Sequence, residues 1–258
     1  METVNFYSRE GMWMSGYIDM HCHILPEVDD GAQSIEETVQ MLRIAYREGI
    51  RCIIATPHHH PKRGMEHPER LRKKLTIVRR EAKKIDEKFR VYLGSEIFFG
   101  QDVAEKLKSG RALSMNKRQC VLLEFSPTDS FSYIQQGIQS VQMAGYEVIL
   151  AHAERYPCLF KDLDQIRYLW EMGTRIQVNA GSITGDSGRS AKKFVKQLLG
   201  EHMVHCVGTD AHGVDHRQPK MKKAAEHVER KYGEEYMRRI FFSNAKELLR
   251  KRRENESE

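Results

Sequence analysis

The sequence lacks the features that mark membrane proteins, secreted proteins and thiol-based metal sites. No window approaches 18 uninterrupted apolar residues, which excludes a transmembrane helix. The first 16 residues contain neither an apolar core nor a cleavage site, so we expect no secretion signal and a cytoplasmic location. The five cysteines form an odd set without a CxxC pair, so we expect reduced thiols, not disulfides or a cysteine-based zinc site.

The sequence also lacks the marks of a nucleic-acid-binding protein. The net charge is +6, and much of the excess lies in residues 69–90 and 248–253. Apolar residues at 71, 75, 78, 82 and 85 have helical spacing, which predicts an amphipathic surface helix with a solvated basic face. Attraction of a polyanionic partner is the alternative. Aromatic residues are not interleaved with these charges, so we expect no nucleic-acid partner.

The chain contains a regular alternation of short β-prone runs and longer helical patterns. The runs lie at 17–20, 51–56, 90–95, 120–125, 147–152, 175–180 and 204–209. Helical patterns occupy 34–49, 132–145 and 190–200, and Ser34 with Glu37 predicts a capping box. Seven such units without a Pro- or Ser-rich linker favour one closed, distorted seven-stranded (β/α) barrel of the TIM type. We place it at 17–250, between an N-terminal extension at 1–16, for which disorder is one interpretation, and a charged tail at 251–258.

Nearly every predicted strand is followed by residues that can bind a metal ion. These are His21, His23, His58, Glu96, Glu124, His152, Asp210 and His212. Side chains from different strand ends converge at the C-terminal face of a (β/α) barrel, so residues far apart in sequence can share one ion. Satisfied polar residues at the rim of the barrel are the alternative interpretation.

The types of side chain in this set predict a reaction class. Imidazoles mixed with carboxylates suit manganese, iron or zinc bound through nitrogen and oxygen. Two or three such ions, about 3.5–4 Å apart and bridged by a carboxylate, would activate a water and clamp a phosphate or acyl oxygen. The pattern therefore predicts metal-assisted hydrolysis.

Six motifs occur in an order that resembles a known superfamily. They are DMHCHILPEVDDGA, IIATPHHH, GSEI, LLEF, LAHAER and GTDAH. In this order they resemble the PHP (polymerase and histidinol phosphatase) superfamily, and most closely its manganese-dependent protein-tyrosine phosphatases from capsular and exopolysaccharide loci of Gram-positive bacteria. The resemblance runs from about residue 17 to about residue 249, although HAER replaces the commoner HPER of that branch.

The resemblance implies three metal ions and a role for each candidate residue. His21, His23 and Asp210 would bind the first ion, with Glu96 bridging to the second. Glu124 and His152 would complete the second ion. Asp30, His58 and His212 would bind the third. Arg155 resembles the phosphate-binding arginine of that branch, and Arg217 lies near another basic position in a loop that aligns less securely.

The resemblance also implies a function and leaves rivals open. We expect a phosphoric monoester hydrolase that acts on phosphotyrosine, by analogy in the tail of a bacterial tyrosine kinase that controls polysaccharide export. The rivals are a small-molecule phosphatase such as histidinol-phosphate phosphatase, a phosphodiesterase or exonuclease, and a non-catalytic binding module stabilised by metal. A thiol-based tyrosine phosphatase is excluded, because no cysteine is followed by an arginine six positions later.

The segment NAGSITGDSGRS, at 179–190, has two interpretations. It follows the sixth predicted strand, which has no obvious metal ligand. Its glycines and hydroxyls could hold an anion ahead of the next helix. Equally, the segment could be a turn followed by a helix cap.

Overall fold

The computed structural model describes residues 16–62, 64–65 and 67–250. Residues 1–15 of the expected extension and the tail at 251–258 lie outside the described residues. Ten strands are described: β1 (Tyr17–Cys22), β2 (Ile50–Ala55), β3 (His58–His60), β4 (Gly64–Met65), β5 (Arg90–Leu93), β6 (Glu96–Phe98), β7 (Cys120–Glu124), β8 (Glu147–Leu150), β9 (Arg175–Asn179) and β10 (Val204–Gly208). All seven predicted strand regions are therefore confirmed.

The described strands form two sheets, so the predicted single closed barrel is not confirmed, while the mixed α/β class with parallel strands is. One sheet has the order β1-β2-β5, and the other has the order β10-β9-β8-β7-β6-β3-β4. The sheets separate where two strand regions are interrupted, between β2 and β3 and between β5 and β6. Pro57 lies in the first interruption and has no backbone N–H to donate. Gly94 lies in the second, where a side chain would come within 2.6 Å of Met115 Sδ.

The two sheets approach each other again at the ends of β1 and β10. The Asp210 backbone N–H donates to the carbonyl oxygen of His21 at 2.7 Å, and the His23 N–H donates to that of Ala211 at 2.9 Å. Cys22 and Ala211 form an isolated parallel bridge. These contacts bring the first predicted ligands beside the last ones.

Eleven α-helices connect or flank the described strands. They are α1 (Ile35–Arg47), α2 (Pro68–Ile85), α3 (Val103–Lys108), α4 (Phe131–Met143), α5 (Pro157–Lys161), α6 (Leu163–Glu171), α7 (Ala180–Thr184), α8 (Arg189–Gly200), α9 (Lys222–Tyr232), α10 (Glu234–Arg238) and α11 (Asn244–Arg250). Short 3₁₀ turns occur at Met115–Lys117 and Ala153–Arg155, and a π-helical turn at Arg239–Ser243. None of the described helices is long and apolar enough to cross a membrane.

Two helix predictions can be compared with the structure in detail. Ser34 caps α1 as predicted, since its side chain accepts from the Glu37 N–H at 3.1 Å. The reciprocal bond differs, because the Glu37 carboxylate accepts from the N–H of Gln33 instead of that of Ser34. The predicted amphipathic helix is α2, which buries Leu71 and its neighbours along the same face and exposes most of its cationic side chains. The cap and the basic surface helix are thus confirmed.

Candidate metal centre

Glu96 lies at the centre of a group of histidines. Its Oε2 is 2.9 Å from Nδ1 of His58, 3.2 Å from Nε2 of His23 and 3.3 Å from Nε2 of His21. Its Oε1 is 2.7 Å from Nε2 of His152. Each of these side chains is 2% exposed or less. One buried carboxylate thus faces four imidazoles through both of its oxygens, which is the arrangement expected of a bridging ligand.

Glu124 lies on the β7 side of this carboxylate. Its Oε1 is 3.6 Å from Nε2 of His152, and its Oε2 is 4.0 Å from Nδ1 of His58. Strand pairing explains the proximity, since β6 and β7 are parallel neighbours and both lead to the same end of the sheet. The structure therefore brings together the three residues expected at the second ion, namely Glu96, Glu124 and His152.

Asp30 and His212 form the solvent-facing edge of the group. Oδ1 of Asp30 is 3.2 Å from Nε2 of His58 and 3.5 Å from Nε2 of His212. The Asp30 side chain is 54% exposed, whereas the His212 side chain is 10% exposed. The His212 ring also packs against that of His23, with a centroid distance of 3.9 Å and a tilt of 35° between the rings. The residues expected at the third ion are thus adjacent, and His23 lies beside them.

The donor atoms fit divalent cations. Three groups have one candidate ligand atom per residue within 4.8 Å of one another: His23 with Asp30, His58 and His212; His21 with His23 and Glu96; and His58 with Glu96 and Glu124. Both ring nitrogens of His58 and Oε2 of Glu96 are buried and have no hydrogen-bond partner of suitable geometry among the described residues. Buried polar atoms without such partners are costly unless something else binds them. Mixed nitrogen and oxygen donors suit Mn, Fe or Zn.

Asp210 faces both the histidines and the two candidate arginines. Its Oδ1 is 3.4 Å from Nε2 of His21 and 3.6 Å from Nε2 of His23. Nη2 of Arg155 lies 2.5 Å from Oδ2, and Nη2 of Arg217 lies 2.5 Å from Oδ1. The two arginine side chains are 37% and 41% exposed, so they line the solvent side of a buried carboxylate.

Three of these residues adopt the left-handed backbone conformation. The φ angles are 30° at His152, 52° at Asp210 and 49° at Arg217. Residues other than glycine adopt this region at a cost, and such residues cluster at functional sites. His152 follows β8 and precedes Arg155, and Asp210 follows β10 and precedes His212. The left-handed residue thus lies, in both cases, between a strand and a further candidate site residue.

The electrostatic environment favours the cation-binding forms of Glu96 and His152, whereas it favours the protonated ring of His23. Burial opposes ionisation of Glu96, but the surrounding histidines, His21 first, hold the pKa of this carboxyl well below its usual range. Burial and the nearby Arg155 lower the pKa of His152 to about 4, so its ring is neutral at pH 7. Burial also opposes protonation of His23, yet Asp29 and Glu96 raise its pKa to about 10. A cation at this position would replace that proton.

Asp29 is a site residue that the sequence analysis missed. Its Oδ2 is 2.8 Å from Nδ1 of His23 and accepts the His58 backbone N–H at 2.9 Å. Its Oδ1 accepts the N–H of Gly31 at 3.0 Å. Because a carboxylate only accepts, Asp29 keeps a proton on Nδ1 of His23, and a metal ion would replace the second proton on Nε2, which faces Glu96. The signal in the sequence is the doubled aspartate of VDDG, where the family resemblance assigns a role to Asp30 alone.

Gln177 and Asn179 on β9 were also missed. Gln177 Oε1 accepts the His152 backbone N–H at 2.8 Å and lies 3.3 Å from Nδ1 of His21. Asn179 donates from Nδ2 to Oδ2 of Asp210 at 2.9 Å. Two polar residues in alternate positions of a buried strand were the signal. The sixth strand thus supports the ligands, while the segment after it forms α7 and a turn.

The cysteines and His60 belong to none of the three groups of candidate ligand atoms found among the described residues. Cys22 lies between His21 and His23 but packs into the hydrophobic core, because side chains alternate between the two faces of a strand. Burial raises the pKa of its thiol well above its usual range. No disulfide joins the five cysteines, which all lie in described residues. His60 is buried, and its ring packs edge-on against that of Phe98 with a centroid distance of 4.3 Å.

Comparison with known proteins identifies the family. Residues 17–250 match the family described as "Capsular polysaccharide synthesis, CpsB/CapC". The chain belongs to the CpsB/CapC family. It is 33% identical over 240 residues to the tyrosine-protein phosphatase CpsB of Streptococcus agalactiae serotype V, which covers 90% of this chain and 98% of that relative. It is 34% identical over 233 residues to the tyrosine-protein phosphatase YwqE of Bacillus subtilis, covering 90% and 91% of the two chains.

A solved structure supports the same CpsB/CapC assignment. It comes from work on YwqE of Bacillus subtilis and CpsB of Streptococcus pneumoniae, which are called metal-dependent tyrosine phosphatases. The TM-score is 0.84 at 33% sequence identity, and the match covers 92% of this chain and 95% of the other. The resemblance stated from the six motifs is therefore confirmed, together with the mixed α/β fold.

Proposed function

We propose that this protein is a metal-dependent protein-tyrosine phosphatase, a phosphoric monoester hydrolase of capsular or exopolysaccharide synthesis. The observation that carries the proposal is the position of Glu96, whose two oxygens face four buried imidazoles. Its CpsB/CapC membership and the names of its relatives support the choice of phosphotyrosine. In this proposal residues 17–250 form the catalytic domain, which acts in the cytoplasm on the tail of a bacterial tyrosine kinase.

Two to three divalent ions would be held by the nine candidate ligands. These are His21, His23, Asp30, His58, Glu96, Glu124, His152, Asp210 and His212. When bound, such ions lower the pKa of water and neutralise charge on a phosphate. We propose manganese, with iron or zinc as alternatives, because donor sets of this kind accept several metals and availability selects among them.

The arginines and the supporting residues would perform the remaining tasks. Arg155 is positioned to donate to phosphate oxygens through its planar fork, and Arg217 reaches the same carboxylate from the other side. Asp29 fixes the ring of His23, and Asn179 fixes the carboxylate of Asp210. A phenolate leaves more readily than an alkoxide, so the site needs no strong general acid.

Reconstitution of metal-stripped protein tests the proposal. Turnover of a phosphotyrosine peptide and of histidinol phosphate is measured after addition of Mn, Fe, Zn or Mg in turn. We expect hydrolysis of the peptide to return with manganese in preference to magnesium, and to exceed that of histidinol phosphate. Preferential hydrolysis of histidinol phosphate would instead identify a small-molecule phosphatase. Metal binding without turnover of either substrate would indicate a binding module.

A further inference from the structure

Three neighbouring parallel strands present two successive rows of side chains at the site. Register pairs His58 of β3 with Glu96 of β6, which places these two in the inner row. Since side chains alternate along a strand, Phe98 lies on the same face as Glu96, one row further out. Register pairs Phe98 with Glu124 of β7. The outer row therefore leads from an aromatic side chain directly to a candidate metal ligand.

The outer row forms one wall of a cavity of about 410 Å³. Its aromatic part is lined by His60, Phe98, Phe125 and Tyr156. This volume lies within the range of about 300–1,000 Å³ found for small-molecule sites. The exposed residues Pro61 and Lys62 also line the cavity, so a side chain from another protein can reach it.

The rings of this cavity are held in place by hydrogen bonds and packing. The Phe125 backbone N–H donates to the Tyr156 hydroxyl oxygen at 3.2 Å. The Lys62 N–H donates to Nδ1 of His60 at 2.9 Å, and the His60 ring packs against that of Phe98. Phe98 itself is only partly buried, so part of its ring is available for contact. The aromatic walls are thus held in place by contacts within the protein.

The other part of the cavity is polar and belongs to the candidate metal centre. Glu124, His152 and Arg155 line it. A phosphate bound beside these residues would therefore have an aromatic compartment next to it. A methylene group leaves that compartment unfilled, whereas a phenyl ring contacts its walls.

We infer that this aromatic compartment is the subsite for the phenyl ring of the substrate, with Phe98 as the residue that selects an aryl phosphate over an alkyl phosphate. The inference rests on the proposed phosphatase function and adds its source of selectivity. Edge-to-face contacts between aromatic rings stabilise a complex beyond the area that they bury. Their contribution corresponds to about two- to tenfold in affinity.

Binding of two non-hydrolysable probes to the manganese-loaded protein tests the subsite. Phenylphosphonate and methylphosphonate share a phosphonate and differ in the ring, and calorimetry gives the affinity of each. The variants are Phe98→Leu, which keeps apolar volume without the ring, and Phe98→Ala. Trp170→Ala is the matched control, because Trp170 is a 45% exposed aromatic residue outside the cavity lining. Inorganic phosphate reports whether the metals and Arg155 remain in place.

The wild type and Trp170→Ala should prefer phenylphosphonate, and Phe98→Leu should lower that preference by about two- to tenfold. Affinity for methylphosphonate and inorganic phosphate should change less than twofold in Phe98→Leu. An unchanged preference, or a parallel loss for all three probes, would overturn the inference. If the ring preference depends on Phe98 but phosphotyrosine peptides are not hydrolysed, the subsite stands and the proposed function fails. If peptides are hydrolysed without a Phe98-dependent preference, only the subsite fails.

Discussion

Nη2 of Arg155 lies 2.5 Å from Oδ2 of Asp210, so the candidate phosphate-binding arginine is paired with a candidate metal ligand. Asn179 donates to the same oxygen at 2.9 Å. The guanidinium can donate several hydrogen bonds in one plane, which allows it to keep this carboxylate and reach a phosphate oxygen. In the proposed site, phosphate binding and the orientation of Asp210 would thus be coupled through the Arg155 side chain.

Replacement of Arg155 should separate these two effects. We expect Arg155→Ala to keep its metals but to lower phosphotyrosine turnover by about 10²–10³-fold, as for loss of a group that stabilises transition-state charge. Arg155→Lys should recover only part of the rate, since an ammonium lacks the planar fork. Turnover, phosphate inhibition and metal content are measured on both variants and on Arg189→Ala, an exposed control on α8. Loss of metal from Arg155→Ala would make its role structural, and unchanged kinetics would remove it from the site.

Glu96→Gln should lower both metal content and turnover. The amide keeps the size of the side chain but loses the charge that faces His21, His23, His58 and His152. Loss of such a partner commonly costs about 10–100-fold in metal affinity or activity. Elemental analysis and a phosphopeptide assay check this, with the exposed Glu87→Gln as control. Wild-type metal content and turnover would show that Glu96 does not bridge.

Asp29→Asn should weaken the site, although Asp29 is a member of none of the three groups of candidate ligand atoms. The variant removes the charge that holds the proton on Nδ1 of His23, so Nε2 becomes a poorer donor. We expect metal affinity to fall by about 10–100-fold. Metal titration followed by turnover at saturating metal measures the effect. The control is Asp164→Asn, since the Asp164 side chain is 85% exposed. Equal metal affinity in Asp29→Asn and the wild type would contradict the role assigned to Asp29.

No cysteine should be needed for catalysis. Burial raises the pKa of the Cys22 thiol well above its usual range and also raises that of Cys158, so neither is a thiolate at pH 7. Cys22→Ser and Cys158→Ser should retain turnover within about threefold if circular dichroism shows them folded. Mass spectrometry after reaction with substrate should detect no phosphorylated cysteine. A trapped phosphocysteine would overturn the proposed metal-dependent route.

The group of candidate metal ligands could be predicted because the chemistry of these residues differs from that of an ordinary buried strand end. His21, Glu96 and Asp210 are costly to bury without a partner, so their recurrence after successive strands indicated one shared site. Gln177 and Asn179 could not be found in this way, since amides are common in loops and seldom bind these metals. Their role depends on the register of β9 with β10, which sequence periodicity does not determine.

The division of the strands into two sheets could not be predicted from sequence periodicity either. Periodicity predicts one strand at 51–56 and one at 90–95. It does not predict that a second short strand, β3 or β6, follows each of them in the other sheet. The interruption depends on Pro57 lacking a donor and on Met115 approaching Gly94, and the second is a contact between distant segments. Periodicity thus predicted where strands occur but not where hydrogen bonding between them passes from one sheet to another.

The adjacency of β1 and β10 sets when the site can form during synthesis of the chain. Thr209 donates its hydroxyl to Asp19 at 2.6 Å, across 190 positions of sequence. On the ribosome His21 and His23 emerge early, and a nascent chain that ends before β10 has no Asp210 or His212 to place beside them. Domains generally fold as units once their sequence is available. A prematurely terminated product would therefore lack the complete ligand set, and hydrolytic activity would appear only in chains that have been translated past residue 212.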